Sequence, residues 1–219
     1  MSETVSFFQG KASGHLERPR RSPSPGIIVI QEWWGLVPHI KDVTARLSKQ
    51  GYVALAPDLY HGKSTVEEAE AKHLMSDLDW SLAVREITAA VTFLREQGCT
   101  KVGVVGFCMG GALAVLAAKN AGVDAAVAFY GFPPDKAAVD GPCAPTQVFF
   151  GADEGLFDVP AAKKWAIAQA AQGKATAVTV YPGAGHAFFN DTRPEAYRKI
   201  AAADAWTKTL AHFARFLPR

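Results

Sequence analysis

The chain has 219 residues, 49% of them hydrophobic, and a formal charge of only +2 from 23 Lys and Arg against 21 Asp and Glu. That length suits one core, since single cores grow to roughly 250 residues before chains split, and a near-balanced charge leaves no broad positive field to gather nucleic acid or an anionic membrane. Neither a bilayer-length apolar run nor a basic leader at Met1-Ser2-Glu3-Thr4 is present, and the cysteines Cys99, Cys108 and Cys143 are too few for a disulfide framework or a zinc pattern, so a cytoplasmic protein with free thiols is expected.

In chain order, a short apolar run at 5–8 precedes a basic, Pro-rich stretch from Arg18 to Gly26, expected to be an exposed loop, so that residues 1–25 form an extension ahead of the core. From Gly26 onward, continuous apolar runs alternate with segments of helical period, the mark of strands covered on both faces. The strands are expected at 27–30, 52–56, 102–105, 125–129, 147–150 and 177–181, in a mainly parallel sheet with helices on both faces of a single α/β domain spanning 1–219. Ile40, Val43 and Leu47 predict a helix stopped by Gly51, and Leu82, Ile87, Val91 and Leu94 predict another stopped by Gly98. Ser64 with Glu67 and Thr192 with Glu195 read as capping boxes. Asp158 suits the N-cap of a helix over 161–172, and Tyr197, Ile200, Leu210 and Phe213 mark the last helix.

The segment Val102-Gly103-Val104-Val105-Gly106-Phe107-Cys108-Met109-Gly110-Gly111 runs from an apolar strand through a tight turn into an alanine-rich helix. This is the nucleophile elbow Gly-x-Ser-x-Gly with cysteine in place of serine. Gly106 and Gly110 remove side chains that would collide with neighbouring backbone. The helix start offers N–H groups and a positive dipole end that favour a thiolate and can receive an oxyanion. A thiol nucleophile needs a base, and the base an orienting carboxylate, in the chain order nucleophile, acid, histidine. His212 falls within the last helix, which leaves His186, in a Gly-rich turn after a strand. Asp153 follows the strand over 147–150, and all three residues stand at strand exits.

These residues carry a resemblance to the dienelactone hydrolase family. It runs from Ile27-Ile28-Val29-Ile30-Gln31-Glu32-Trp33-Trp34-Gly35-Leu36 through Ala56-Pro57-Asp58-Leu59-Tyr60 and the elbow to Gly151-Ala152-Asp153 and Gly183-Ala184-Gly185-His186-Ala187-Phe188. The resemblance implies an α/β-hydrolase fold and a Cys108, Asp153, His186 triad. It also implies an oxyanion hole from the Met109 and Trp33 N–H groups, and a Glu32 that contacts the resting thiol. No metal or organic cofactor is implied, and the partner is a small ester or lactone, handled by a monomer or small homo-oligomer.

Trp34 and Phe188 are candidates for an apolar pocket wall, with core packing as the alternative. Family members that cleave dienelactone hold its carboxylate with an arginine four residues after the histidine, where this chain has Asn190. A second family arginine comes from the segment after Asp58-Leu59-Tyr60, where only Lys63 and Lys72 are available. Asparagine and lysine do not reproduce a guanidinium fork. Arg193 is either a substitute or part of a helix start. Two readings compete with hydrolysis: a ligand-binding protein on the same scaffold, and a thiol redox sensor using Cys108 with Cys99 or Cys143.

Overall fold

The computed structural model describes residues 2–20, 24–135 and 137–218. One eight-stranded sheet has the order β1-β2-β4-β3-β5-β6-β7-β8. Its strands are β1 (Ser2–Phe7), β2 (Ala12–Glu17), β3 (Gly26–Ile30), β4 (Val53–Pro57), β5 (Val102–Phe107), β6 (Ala125–Phe129), β7 (Thr146–Asp153) and β8 (Thr176–Gly185). From β4 to β8 every pairing is parallel, while β1, β2 and β4 pair antiparallel. The helices are α1 (Pro38–Lys49), α2 (Glu68–Ser76), α3 (Trp80–Glu96), α4 (Met109–Asn120), α5 (Val159–Ala171) and α6 (Lys199–Phe216).

The inner strands β3, β4, β5 and β6 are buried at every position, as strands sandwiched between helices must be. A Cβ on Gly26 would meet Leu94 of α3, and one on Gly103 would meet Phe213 of α6. Gly26 is paired with Val102, so the alternation of side chains along β5 sets α3 and α6 on opposite faces. After β3 the chain crosses to β4, then returns past β3 to β5. The strand order therefore reverses between β3 and β5, the place where open α/β sheets form a crevice at the carboxyl ends of their strands. Among the described residues no helix is long and apolar enough to cross a membrane.

Several local expectations are corrected. Residues 2–17 are a hairpin that extends the sheet, not an extension outside the core; β2 alternates buried and half-buried positions. The basic stretch lies partly outside the described residues, at 21–23, and Arg18 is tied to Glu3 and Gln97 at 2.9 Å each. Neither capping box forms. Ser64 pairs with Gly35 in a β-bridge, and the Thr65 hydroxyl takes the Glu67 N–H ahead of α2. The Thr192 hydroxyl donates to the Asn190 side chain, and α6 starts only at Lys199, leaving Ile200 exposed while Phe213 is buried. Asp158 does cap α5, accepting the Ala161 N–H at 2.8 Å.

Candidate active site

Cys108 stands between β5 and α4 with φ 55° and ψ −120°, a conformation that costs a non-glycine residue roughly 1–3 kcal/mol. Its neighbours impose it. A Cβ on Gly106 would lie 1.9 Å from the Gly110 carbonyl oxygen, and one on Gly110 would lie 2.4 Å from that of Gln31. Gly131, just beyond β6, passes so close that its Cβ would sit 2.1 Å from the Cys108 carbonyl oxygen. The turn is thus held by backbone from three strand ends.

The Cys108 sulfur is almost fully buried. Burial and then the charge of Glu32 push the thiol far above its usual range, while the nearby backbone N–H groups of Met109 and Trp33 pull the other way. Desolvation and the Glu32 charge thus outweigh the two N–H dipoles and favour the thiol over the thiolate that the helix start alone would favour. Glu32 itself is 1% exposed and held by two neutral donors, the Tyr130 hydroxyl at 2.9 Å and the Asn190 amide at 2.7 Å. Two hydrogen bonds satisfy a carboxylate that burial alone would penalise severely.

His186 follows β8, and its Nδ1 lies 3.0 Å from both Oε1 and Oε2 of Glu154. The Glu154 side chain is wholly buried, whereas Asp153, expected as the acid, is exposed. The two are adjacent at the end of β7, where successive side chains leave on opposite sides, so only one can face the histidine. The imidazole is clamped between the edge of Tyr130, at 5.0 Å between ring centres, and the stacked face of Phe157. Cys108 and His186 line one cavity of about 710 Å³, without a hydrogen bond between them among the described residues.

Trp34 and Arg193 also line that cavity, as does Lys72 from α2. Phe188 does not: it is fully buried in the core against Phe129, Tyr130 and Tyr181. Asn190 is not on this cavity either, because its amide is turned onto Glu32. Tyr130 and Glu154 are the residues that sequence reasoning missed. Tyr130 has no motif around it, although a tyrosine directly after a fully apolar strand is a signal that its hydroxyl needs a buried partner. Cys99 and Cys143 precede β5 and β7, at the end of the sheet opposite Cys108. A six-residue strand spans about 20 Å, far beyond disulfide reach, so the intramolecular redox reading is removed.

A strained cysteine at a strand-to-helix turn, with a carboxylate-held histidine in the same cavity, meets its match in the family model described as the dienelactone hydrolase family, over residues 13–217. The chain belongs to this family. A curated relative from Methylorubrum extorquens, named "Putative carboxymethylenebutenolidase", is 36% identical across 89% of this chain and 73% of its own. A crystal structure titled "Putative Dienelactone Hydrolase", from Klebsiella pneumoniae, is 28% identical with a TM-score of 0.85, covering 99% of both chains. A dienelactone hydrolase-like promiscuous phosphotriesterase from metagenomic libraries is 25% identical with a TM-score of 0.83, covering 99% of this chain and 98% of its own. As a member of the dienelactone hydrolase family, the chain is a lactone or ester hydrolase with a small-molecule substrate, on the α/β-hydrolase fold.

Proposed function

We propose that the chain opens its ester or lactone through a thioester on Cys108, with His186 as base and acid, Glu154 as its orienting carboxylate and Glu32 as the group that keeps the resting sulfur protonated. The observation that carries this reading is the buried, strained Cys108 at the strand-to-helix turn sharing one cavity with the His186–Glu154 pair. In the resting state the sulfur occupies the two donors that a carbonyl oxygen needs. The sulfur must leave them, by rotation toward His186, when substrate arrives. The thiol proton passes to His186, and the sulfur bonds to the carbonyl carbon. The carbonyl π pair becomes an oxyanion on the Met109 and Trp33 N–H groups.

As the oxyanion collapses, the C–O bond of the ester breaks and the imidazolium returns its proton to the leaving oxygen; in a lactone that oxygen stays tethered to the acyl group. Water, deprotonated by His186, then attacks the thioester and releases the acid and the thiol. Glu154 favours the imidazolium at each turn. Lys72 on the cavity wall supports a substrate that carries a carboxylate, although its ammonium gives a point charge where a guanidinium would give a fork. Purified protein is expected to hydrolyse p-nitrophenyl acetate and an acidic butenolide. Cys108→Ala should abolish both, and Glu154→Gln should cut kcat by about a hundredfold or more, by analogy with the orienting acid of other triads. Asp153→Asn should stay within about twofold, in line with ordinary exposed substitutions. Undiminished turnover by Cys108→Ala would falsify the thioester route.

A further inference from the structure

A second cavity, of about 430 Å³, adjoins the catalytic one, and Trp34 and Arg193 line both. The partition consists of the Arg193 guanidinium lying over the Trp34 ring, 5.0 Å from its centre. Beneath it the two cavities meet a second time through one hydrogen bond: Glu32 lines the catalytic side, Asn190 the other, and they are joined at 2.7 Å. Arg193 is held where it is by Glu195 at 2.7 Å and Glu68 at 3.5 Å, both exposed carboxylates. Surface pairs of that kind contribute roughly 0–1 kcal/mol, so the guanidinium can shift without a large penalty.

From this arrangement, and on the reading of Cys108 given above, we propose that the adjoining cavity is a second substrate subsite, which takes a neutral, flat apolar group of the ester as Arg193 moves aside. The lining selects that chemistry. Trp34, Val37, Pro38 and Val66 supply an indole and aliphatic walls. Its polar side chains are already committed: the Thr192 hydroxyl donates to Asn190 at 2.6 Å, Asn190 donates to Glu32, and the Thr65 hydroxyl accepts the Glu67 N–H at 3.0 Å. His39 contributes a ring whose nitrogens are sealed from the cavity, Nδ1 lying 3.2 Å from Asp191 but out of line for a hydrogen bond. Glu68 and Glu195 on the rim neutralise Arg193 and repel an anion. A carboxylate thus belongs on the Lys72 side, in the catalytic cavity, and an aryl group in the adjoining one.

Two variants reduce the adjoining cavity from different walls: Val66→Trp, at a position 84% exposed and therefore tolerant, and Val37→Phe. Each should lower kcat/KM for ethyl 2-naphthylacetate about tenfold, the scale set by lost apolar contact in a pocket, with ethyl acetate within about twofold and Val66→Ala near the parent on both. Binding of 2-naphthylacetamide to the Cys108→Ala protein, followed by calorimetry, should weaken in the same two backgrounds. Equal losses on both esters, or amide binding untouched by either filling variant, would overturn the subsite. If the parent protein turns over neither ester, the reading of Cys108 fails, and the amide titration still decides the subsite by itself.

Discussion

At the scale of single residues, burial raises the Cys108 thiol most and the charge of Glu32 comes next. Burial cannot be altered without rebuilding the cavity, but Glu32 can. Its carboxylate raises the thiol, so Glu32→Gln should lower the pH at which Cys108 ionises and speed its alkylation by iodoacetamide near pH 8. The parent should need a more alkaline solution for the same rate. A pH–rate profile that the substitution leaves in place would show that Glu32 does not govern the thiol. Glu32 was legible in the sequence through the family resemblance, and it stands two residues after the apolar run Ile27-Ile28-Val29-Ile30, where a buried carboxylate needs a partner. Its partners Tyr130 and Asn190 were not, since they lie 98 and 158 residues away along the chain. The acid next to the histidine was missed by one position. Asp153 and Glu154 are chemically equivalent candidates at the end of one strand, and only the side from which each leaves the backbone separates them.

Among the elements, the elbow is the place where close packing is least negotiable. A methyl group on Gly106 has to displace the first turn of α4 from β5, because it would meet backbone at 1.9 Å. Gly106→Ala should therefore cost about 3 kcal/mol or more, the upper end of overpacking penalties. Gly122→Ala is the control: its φ of +68° strains any side chain, but no atom lies within 4 Å, so about 1–2 kcal/mol is expected. Urea midpoints measure both, and equal losses would mean that φ strain, not contact, sets the cost. The parallel strands were readable for the same packing reason, since a strand covered on both faces must be apolar throughout. The β1–β2 hairpin was not. Its strands alternate over only six residues each, and its turn places Phe8 and Gln9 at positive φ, where Asn or Gly would have announced the bend. The false capping boxes have a related cause. Thr192 and Ser64 sit at the correct spacing, but one hydroxyl is drawn to Asn190 and the other residue into a β-bridge.

For the whole molecule, the question is what keeps the loop after β8 in register with the opposite half of the sheet. That loop carries Asn190 and Arg193, while α1 packs over β4 and β2 on the far side of β3. One link is Asp191, which the Arg46 guanidinium of α1 pairs with and toward which His39 also lies, at 3.2 Å. Burial alone would raise the Asp191 carboxyl, but Arg46 and His39 outweigh it and hold it below the usual carboxylate range. A depressed folded pKa stabilises the native state above the unfolded value, near 4, and that contribution fades as pH falls through the folded value. Asp191→Asn should thus lower stability by about 1 kcal/mol at pH 7, the upper end for a partly exposed pair, with the gap from the parent largely closed near pH 2.5. Because the same loop aims Asn190 at Glu32, the variant should also shift the pH at which Cys108 is alkylated. Urea titrations at the two pH values decide the electrostatic part. An identical gap at both would mean that Asp191 acts through packing, leaving the Asn190–Glu32 hydrogen bond and the Arg193–Trp34 contact as the polar links between the two halves.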